Sequence, residues 1–169
     1  LMIPDRDPTS IENIGERDVY KALSEQLPED WIVRYHYPAC WMHENRLKEC
    51  EADFIVLAPN NGILFLEVKG SRGYESRDGI WYRINQHGER ITVRPSPWDQ
   101  ATSTKHQIVK QLALKLGYAK KTDFPGLYGH LVLYPRGRRQ GRLPTSIDPA
   151  LVLDRSDMRG LAEKLQHAF

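Results

Sequence analysis

The chain has 169 residues, which suits one domain and is too short for a two-domain cofactor enzyme. Its content of 40% hydrophobic and 27% charged residues excludes disordered and fibrous proteins. The formal net charge is only +2, so any affinity for nucleic acid must come from the local placement of charges. We expect a single folded domain over residues 1–169.

Targeting and compartment signals are sparse. No apolar run approaches the roughly 20 residues of a membrane span, and Asp5, Arg6 and Asp7 lie where a signal peptide would be apolar. Two cysteines are far fewer than a disulfide scaffold needs, which is consistent with a reducing compartment. We therefore expect a cytoplasmic protein without a membrane partner. Because the first residue is Leu1, the sequence also fits a domain excised from a larger protein.

The first predicted helix begins at the capping pattern Thr9-Ser10-Ile11-Glu12 and ends before Pro28, with apolar residues at helical spacing between them. A run of β-branched and aromatic residues over 31–37 predicts a strand that Pro38 closes. Residues 38–51 show no clear period, so a loop is predicted there.

The strongest hairpin signal consists of two apolar runs, residues 52–59 and 63–69. Between them lies Asn60-Asn61-Gly62, a sequence that readily supplies the positive φ angles of a tight turn. These runs are predicted to form two antiparallel strands.

Further along the chain, residues 79–84 and 90–93 predict another strand pair, connected through Gln86-His87-Gly88. The second helix is predicted to begin at Ser96, followed by proline at the first helical position, and to end at Gly117. Its apolar stripe should pack on the sheet.

The last third of the chain predicts strands over residues 128–134 and 150–153, separated by a basic loop over 136–142. Ser156 is predicted to cap a final helix. No internal repeat is present in the sequence.

Three charged residues, Asp53, Glu67 and Lys69, interrupt the apolar runs of the predicted hairpin. Charges within such strands are costly to bury unless they are paired or bind a metal. Glu67 and Lys69 are two positions apart, so they project from the same face of their strand. With the turn centred between Asn60 and Asn61, residue 68 lies opposite Asp53. The three charges are therefore predicted to converge.

Two carboxylates in oxygen-rich surroundings are typical ligands of Mg²⁺ or Mn²⁺, and the backbone carbonyl of Val68 could supply a further oxygen. A metal held this way lowers the pKa of its bound water and stabilises negative charge in a transition state. Lys69 would position the hydroxide or neutralise phosphate charge. The alternative is a buried ion pair that only joins two strands.

Asp53 followed by Glu67-Val68-Lys69 resembles the PD-(D/E)XK nuclease signature, and residues 51–56 and 64–70 resemble the nuclease-related domain, NERD. Further matching segments are Gly15-Glu16, Gly79-Ile80-Trp81-Tyr82 and Pro95-Ser96-Pro97-Trp98-Asp99-Gln100-Ala101. The resemblance covers roughly residues 11–117. It departs from the signature at Ala52, where the proline of the superfamily name would stand.

The resemblance implies an α/β fold with a restriction-endonuclease-like PD-(D/E)XK core over about residues 11–135. A central mixed sheet is flanked by helices, with an αβββαβ order and a metal site at the sheet edge near the first helix. It also implies a Mg²⁺- or Mn²⁺-dependent deoxyribonuclease whose partner is DNA. A helicase or other module would be fused to the domain or associated with it, while the oligomeric state stays open.

The same resemblance assigns roles to the individual residues. Asp53 and Glu67 would be metal ligands, and Lys69 would be the activating cation. Glu16 would be an additional carboxylate near the metal or a base, and the alternative is a solvated helix carboxylate. Gln100 would orient the substrate or the attacking water, and the alternative is a cap or surface residue.

The predicted basic loop contains no acidic residue, and its arginines suit contacts with phosphates. These candidate nucleic-acid-binding residues are Arg136, Arg138, Arg139 and Arg142. A solvated loop is the alternative, because a short basic run is a weak signal.

A second set of metal-binding side chains comprises His36, Cys40, His43 and Cys50. Its spacings lack the paired knuckle of a structural zinc site, so free buried cysteines are expected instead. Trp41 and Trp98 could stack on bases, although core packing is the commoner use of tryptophan.

Two other function classes compete with the nuclease. One is a catalytically silent nucleic-acid-binding or interaction module with the same fold, since fold alone does not fix function. The other is a metal-free glycosidase that uses Asp53 and Glu67 as an acid and base pair. Lys69 disfavours the glycosidase, because a nearby cation lowers the pKa that a general acid needs raised.

Overall fold

The computed structural model of the chain describes residues 1–71, 73–85 and 87–169, without the side chain of His43. The strands are β1 (Met2–Ile3), β2 (Ile32–His43), β3 (Arg46–Ala58), β4 (Gly62–Val68), β5 (Gly73–Arg77), β6 (Ile80–Ile84), β7 (Arg90–Val93), β8 (Tyr128–Leu133), β9 (Arg138–Gly141) and β10 (Val152–Leu153). The α-helices are α1 (Ile14–Gln26), α2 (Pro97–Lys115) and α3 (Leu161–His167). Short 3₁₀ helices cover Pro8–Ser10, Lys121–Asp123, Pro149–Leu151 and Arg155–Gly160.

The described strands form two sheets. The larger sheet has the strand order β1-β2-β3-β4-β8-β10, in which β2, β3 and β4 pair antiparallel and β8 pairs parallel to β4. The smaller sheet has the order β7-β6-β5-β9. The fold is therefore the expected α/β arrangement with a central mixed sheet.

The two faces of the central sheet are covered by different helices. Helices α1 and α3 bury residues such as Val19 and Leu165 against one face, together with Phe54 and Leu66 of the sheet. Helix α2 covers the other face, where Val109 packs with the neighbouring sheet residues. This division follows from the alternation of side chains along each strand.

The start of α1 differs from the prediction. Thr9 and Ser10 lie in a 3₁₀ turn capped by Asp7, and the helix proper begins at Ile14. Asn13 is the N-cap residue, since its side chain accepts hydrogen bonds from the first helical amides. Ile11 is buried in the core just before the helix, which accounts for its apolar spacing.

Helix α2 confirms its predicted signals. The Ser96 side chain accepts a hydrogen bond from the amide of Asp99, and Pro97 is the first helical residue. Gly117 has a φ of 86° just beyond the helix, the conformation expected at a helix C-terminus. Within the described residues, no helix has the length and apolar character that crossing a bilayer requires.

The predicted loop over residues 38–51 is wrong, because β2 and β3 continue through it as a long hairpin. Their register pairs Pro38 with Glu51 and His43 with Arg46. Proline is tolerated because β1 pairs with β2 only at Val33 and Arg34, so no strand among the described residues pairs with the other side of β2 at Pro38. The irregular polarity of this segment reflects its outer part, where residues 44–49 are exposed, whereas Ala39 near its base is buried.

The hairpin of β3 and β4 confirms the turn at Asn60-Asn61-Gly62. Asn60 has a φ of 66° and Gly62 a φ of 135°, as a tight turn at this place requires. The register pairs Phe54 with Leu66. Because the strands are antiparallel, the next position along each strand places Asp53 opposite Glu67. The expected partner was residue 68, so the prediction was one residue off.

The second half of the chain holds further corrections. Strand β5 was not predicted, and residues 138–141 of the expected basic loop form β9, which pairs parallel with β5. Asp154, rather than Ser156, caps the 3₁₀ helix that precedes α3. Strands β6 and β7 pair as predicted, while Gln86 of their predicted connection lies outside the described residues.

We expect Gly62→Ala to lower the free energy of unfolding by more than 2 kcal/mol, because the φ of 135° is unfavourable for alanine. The new Cβ would also collide with the carbonyl oxygen of Leu127. The matched control is Gly79→Ala, since Gly79 has a φ of 76° but an open surrounding, and should lose only about 1 kcal/mol. Urea denaturation measures both, and equal losses would contradict a steric role for Gly62.

Candidate active site

Strands β3 and β4 bring Asp53, Glu67 and Lys69 together. The backbone amide of Val68 donates a hydrogen bond of 2.7 Å to Oδ2 of Asp53. Glu67 follows the buried Phe65 by two positions, so alternation turns its side chain toward the face that α2 covers. The three charges thus converge where β4 ends.

Lys69 connects the hairpin to helix α2. Its Nζ donates hydrogen bonds of 2.6 Å to Oε1 of Glu67 and 2.6 Å to Oε1 of Gln100. Gln100 Nε2 faces the carbonyl oxygen of Pro95 at 3.4 Å, an arrangement that keeps the amide oxygen toward Lys69. Since an ammonium has three protons, one remains for a water molecule or a phosphate oxygen.

Asp53 lies in a strongly acidic environment. Burial raises the pKa of its carboxyl to about 7, and the nearby Glu67 and Glu16 carboxylates act in the same direction. The Val68 amide and the Lys69 ammonium oppose this rise only in part. Glu67 is itself only 9% exposed, so two carboxyl groups share a partly dehydrated space with one cation.

Glu16 comes from the first turn of α1, on the opposite face of the sheet. Its Oε1 accepts a hydrogen bond of 2.5 Å from Asn13, and its Oε2 accepts one of 2.8 Å from the Tyr35 hydroxyl. Helix α1 can approach closely because a Cβ on Gly15 would lie 3.1 Å from the Cα of Gly70. Glu16 is therefore a buried, oriented carboxylate, which contradicts the alternative of a solvated one.

Sequence reasoning missed the place of His36. It has a φ of 53°, and the β2–β3 pairing skips it at the position facing Asp53. Its Nε2 lies 3.4 Å from Oε2 of Glu16 and 3.4 Å from Oε1 of Glu51. A positive φ in a residue other than glycine often marks a functional site, and no local pattern in the sequence indicates it here.

The second set of metal-binding side chains does not form a zinc site in the described part of the chain, where no group of three or more His, Cys, Asp or Glu is placed to hold a metal. Cys40 and Cys50 are free, as expected, but neither is buried: Cys40 is exposed and Cys50 is half-buried. The side chain of His43 lies outside the described residues.

We call Asp53, Glu67 and Glu16 the acidic site, and in the described part of the chain these carboxylates are likewise not placed as a set of three metal ligands. The chemistry of the donors nevertheless suits Mg²⁺ or Mn²⁺, because both ions prefer oxygen and keep several water ligands. The crowded carboxylates of Asp53 and Glu67 carry negative charge that a cation would neutralise. The residues present therefore fit a divalent metal held through two carboxylates and the Val68 carbonyl.

The four candidate arginines separate in the structure. Arg136 and Arg138 line a cavity of about 1130 Å³. Gly15 and Gly70 also border it, and they are the chain neighbours of Glu16 and Lys69. Arg136 forms an ion pair of 3.2 Å with Asp18. Arg139 instead donates to the carbonyl oxygen of Pro149, and Arg142 borders a different cavity. Two residues of the first cavity, Gln140 and Arg155, were not among the candidates.

The two candidate tryptophans also differ. Trp98 is half-buried, packs against a core cluster and lies 4.2 Å from the His130 ring, measured between ring centroids. Trp41 is half-buried on the outer part of the β2–β3 hairpin, where its facing residue is Lys48. Core packing therefore describes Trp98 better than Trp41.

One of three comparisons with known proteins gave a match. The family model of the nuclease-related domain, NERD, matches residues 11–135. This range contains all the residues of the acidic site and ends just before Arg136. No curated protein and no solved structure shows significant similarity to the chain.

We expect the metal-free protein to lose stability as the pH rises from about 4 to about 7. The folded state holds a proton on Asp53 more tightly than the unfolded state, because the pKa rises from 3.8 to about 7 on folding. Asp53→Asn should remove this decrease in the free energy of unfolding. Near pH 8 the variant should be more stable than the parent by on the order of 2 kcal/mol.

Urea denaturation with a chelator, at several pH values, measures this effect. Asp5→Asn, a change at an exposed carboxyl, is the matched control for the loss of one charge. Parallel slopes for the parent and Asp53→Asn would show that Asp53 does not hold a proton in this range.

Proposed function

The chain belongs to the nuclease-related domain family, and on this premise we propose that it is a Mg²⁺- or Mn²⁺-dependent nuclease that hydrolyses DNA phosphodiester bonds. The observation that carries the proposal is the crowding of Asp53 and Glu67 against one ammonium, with the pKa of Asp53 raised to about 7. A bound cation would neutralise the negative charge of these partly buried carboxylates. In phosphodiester hydrolysis a metal at such a site would activate the attacking water and stabilise charge on the phosphate.

Asp53 and Glu67 would hold the metal, with the Val68 carbonyl as a further ligand. When bound, the metal would supply an activated water and neutralise charge on the phosphate. Asp53 must lose its proton to act as a ligand, which occurs above about pH 7 in the free protein. Its Oδ2 is already oriented by the Val68 amide at 2.7 Å.

Lys69 would act on the phosphate or the attacking water through the proton that Glu67 and Gln100 do not use. An ammonium fixed by two hydrogen bonds of 2.6 Å is oriented before the substrate arrives, which is how charged groups contribute most to catalysis. Gln100 is best described as a positioning residue for Lys69. Glu16, held by Tyr35 and Asn13, would be an outer carboxylate for a metal-bound water or a base.

The cavity beside the acidic site suits a polyanionic substrate. Arg138, Arg155 and Arg136 border it, and Arg136 is paired with Asp18. Arginine guanidinium groups match phosphate geometry, so this cavity would receive the DNA backbone next to the cleaved bond. Arg139 and Arg142 would contribute little, because they lie elsewhere.

Residues 1–169 would together form one nuclease domain. Strand β10 and helix α3 lie beyond the matched residues, yet Leu161 and Leu165 are fully buried in the same core as α1. A fused or associated helicase or other module remains a proposal that rests on the family alone.

We expect purified protein to cleave DNA with Mg²⁺ or Mn²⁺ and to stop when a chelator is added. Lys69→Ala and Asp53→Asn should each lower the rate about 10²- to 10⁴-fold, because they remove an electrostatic group and a metal ligand. Supercoiled, linear and single-stranded DNA, with RNA in parallel, are assayed by gel electrophoresis. Lys110→Ala, a change at an exposed lysine of α2, is the matched control.

Cleavage that survives both substitutions would contradict this mechanism. Binding of DNA without any product, across several divalent ions and in folded protein, would instead favour a catalytically silent binding module. Activity that is unaffected by the chelator would favour a metal-free hydrolase.

We expect Arg138→Ala to weaken DNA binding several-fold and to reduce its salt dependence by about one counterion, as the loss of one phosphate contact does. Arg142→Ala is the matched control, because Arg142 borders the other cavity. Fluorescence anisotropy with labelled DNA at several salt concentrations measures both. Equal effects of the two substitutions would exclude a specific role for the cavity beside the acidic site.

A further inference from the structure

A second group of titratable side chains lies between α2 and β8, away from the acidic residues. We call it the basic cluster, and its members are Lys105, His106, Lys121, Tyr128 and His130. Lys105 and His106 belong to α2, Tyr128 and His130 to β8, and Lys121 to the 3₁₀ helix between them. The nuclease site proposed above uses none of them.

His130 fixes the position of Lys105 through a directed chain of hydrogen bonds. Thr102 Oγ1 donates to the carbonyl oxygen of Trp98 at 2.8 Å, so it accepts from Nε2 of His130 at 2.9 Å. Nδ1 of His130 is then an acceptor, and Nζ of Lys105 donates to it at 2.9 Å. Burial lowers the pKa of His130 to about 4, which keeps its ring neutral and suited to this role.

Lys121 is held in a similar way by the other histidine. Its Nζ lies 2.9 Å from Nδ1 of His106, and burial lowers the pKa of His106, which favours the neutral ring as acceptor. Both ammonium groups lie 5.9 Å from the centroid of the Tyr128 ring. The two cations are therefore held near the same aromatic ring, and each ammonium has two protons besides the one donated to its histidine.

In the described part of the chain, the basic cluster has no paired carboxylate. Within residues 1–71, 73–85 and 87–169, neither Lys105 nor Lys121 forms an ion pair with a carboxylate. Burial lowers the pKa of Lys105, and the charge of Lys121 lowers it further. Two fixed ammonium groups that repel each other are stabilised by an anion that accepts hydrogen bonds from both.

We propose that the basic cluster is an anion site that binds one phosphate group through Lys105 and Lys121, and that in the DNA complex this group is a backbone phosphate outside the cleaved bond. Lys105 follows Gln100 by five residues, which is about 7.5 Å along the helix axis. That offset is on the order of the spacing in space between neighbouring backbone phosphates of one strand. The assignment to DNA rests on the proposed function, whereas the anion site rests on the cluster.

The first experiment measures DNA binding with a chelator present and in the background of Lys69→Ala, a change expected to slow cleavage. Lys105→Gln combined with Lys121→Gln is compared with Lys110→Gln combined with Lys115→Gln, a matched pair of exposed lysines on α2. The cluster pair should weaken binding about fivefold and reduce the slope of log Kd against log salt concentration by about one. Equal slopes in the two pairs would overturn the DNA assignment.

The second experiment follows the ring resonances of His106 and His130 by NMR during titration with inorganic phosphate. Phosphate should shift them in the Lys110 and Lys115 control and not in the cluster pair. If thermal unfolding shows that the cluster pair is destabilised, Lys121→Gln alone replaces it in both experiments.

The two experiments separate the possible failures. If the protein binds no DNA at all, the proposed function fails, and the phosphate titration alone decides the anion site. Phosphate shifts with unaltered DNA binding would identify free phosphate as the ligand and overturn the DNA assignment. No difference between the two pairs in either experiment would overturn the anion site.

Discussion

The hydrogen bond from the Val68 amide to Asp53 is the contact on which the acidic site depends. It fixes the Asp53 carboxylate beside Glu67, although burial and like charge raise the free energy of its ionised form. Moving ionised groups out of water costs several kcal/mol each unless partners compensate. The apolar residues of β3 and β4 offset this cost, because Phe54, Val56 and Leu64 are completely buried on the opposite face of the same strands.

The site lies at the end of β4, where side chains from both faces of the central sheet can approach each other. Helix α1 contributes Glu16 from one face, and α2 contributes Gln100 from the other. The cavity lined by Arg136 and Arg138 borders the start of α1, and the basic cluster lies along α2. In the proposed complex, a DNA strand that contacts both would cross the end of β4, from which Glu67 projects.

Much of this arrangement can be predicted from local sequence signals. Alternation in β3 and β4 and the turn at Asn60-Asn61-Gly62 are strong enough to bring Asp53, Glu67 and Lys69 together within one residue of register. Capping at Ser96 and Pro97 fixes the start of α2, and therefore the place of Gln100. These features depend on residues close in sequence, where propensity and pattern act directly.

The remaining features depend on tertiary contacts that leave no local pattern. The β2–β3 hairpin continues through residues 38–51 by backbone pairing, and its outer residues 44–49 are all exposed, so no alternation of polarity marks them. Strand β9 forms from an arginine-rich segment because β5 offers it a partner. The folded chain is likewise needed for the positive φ of His36, for the hydrogen bond from Tyr35 to Glu16 and for the neutral histidine rings of the basic cluster.

The pairing of β4 with β8 has a consequence for the order in which the molecule assembles. The amide of Lys69 donates to the carbonyl oxygen of Leu133, across more than sixty residues of chain, and β4 has β3 on its other side. Parallel pairings between distant segments form late, because the entropy of closing a long loop must be overcome first. Lys69 is therefore fixed only after β8 has docked, so that partly folded chains hold Asp53 and Glu67 in a hairpin without a fixed cation. The complete arrangement of Asp53, Glu67 and Lys69 would then be among the last features that the chain acquires on folding.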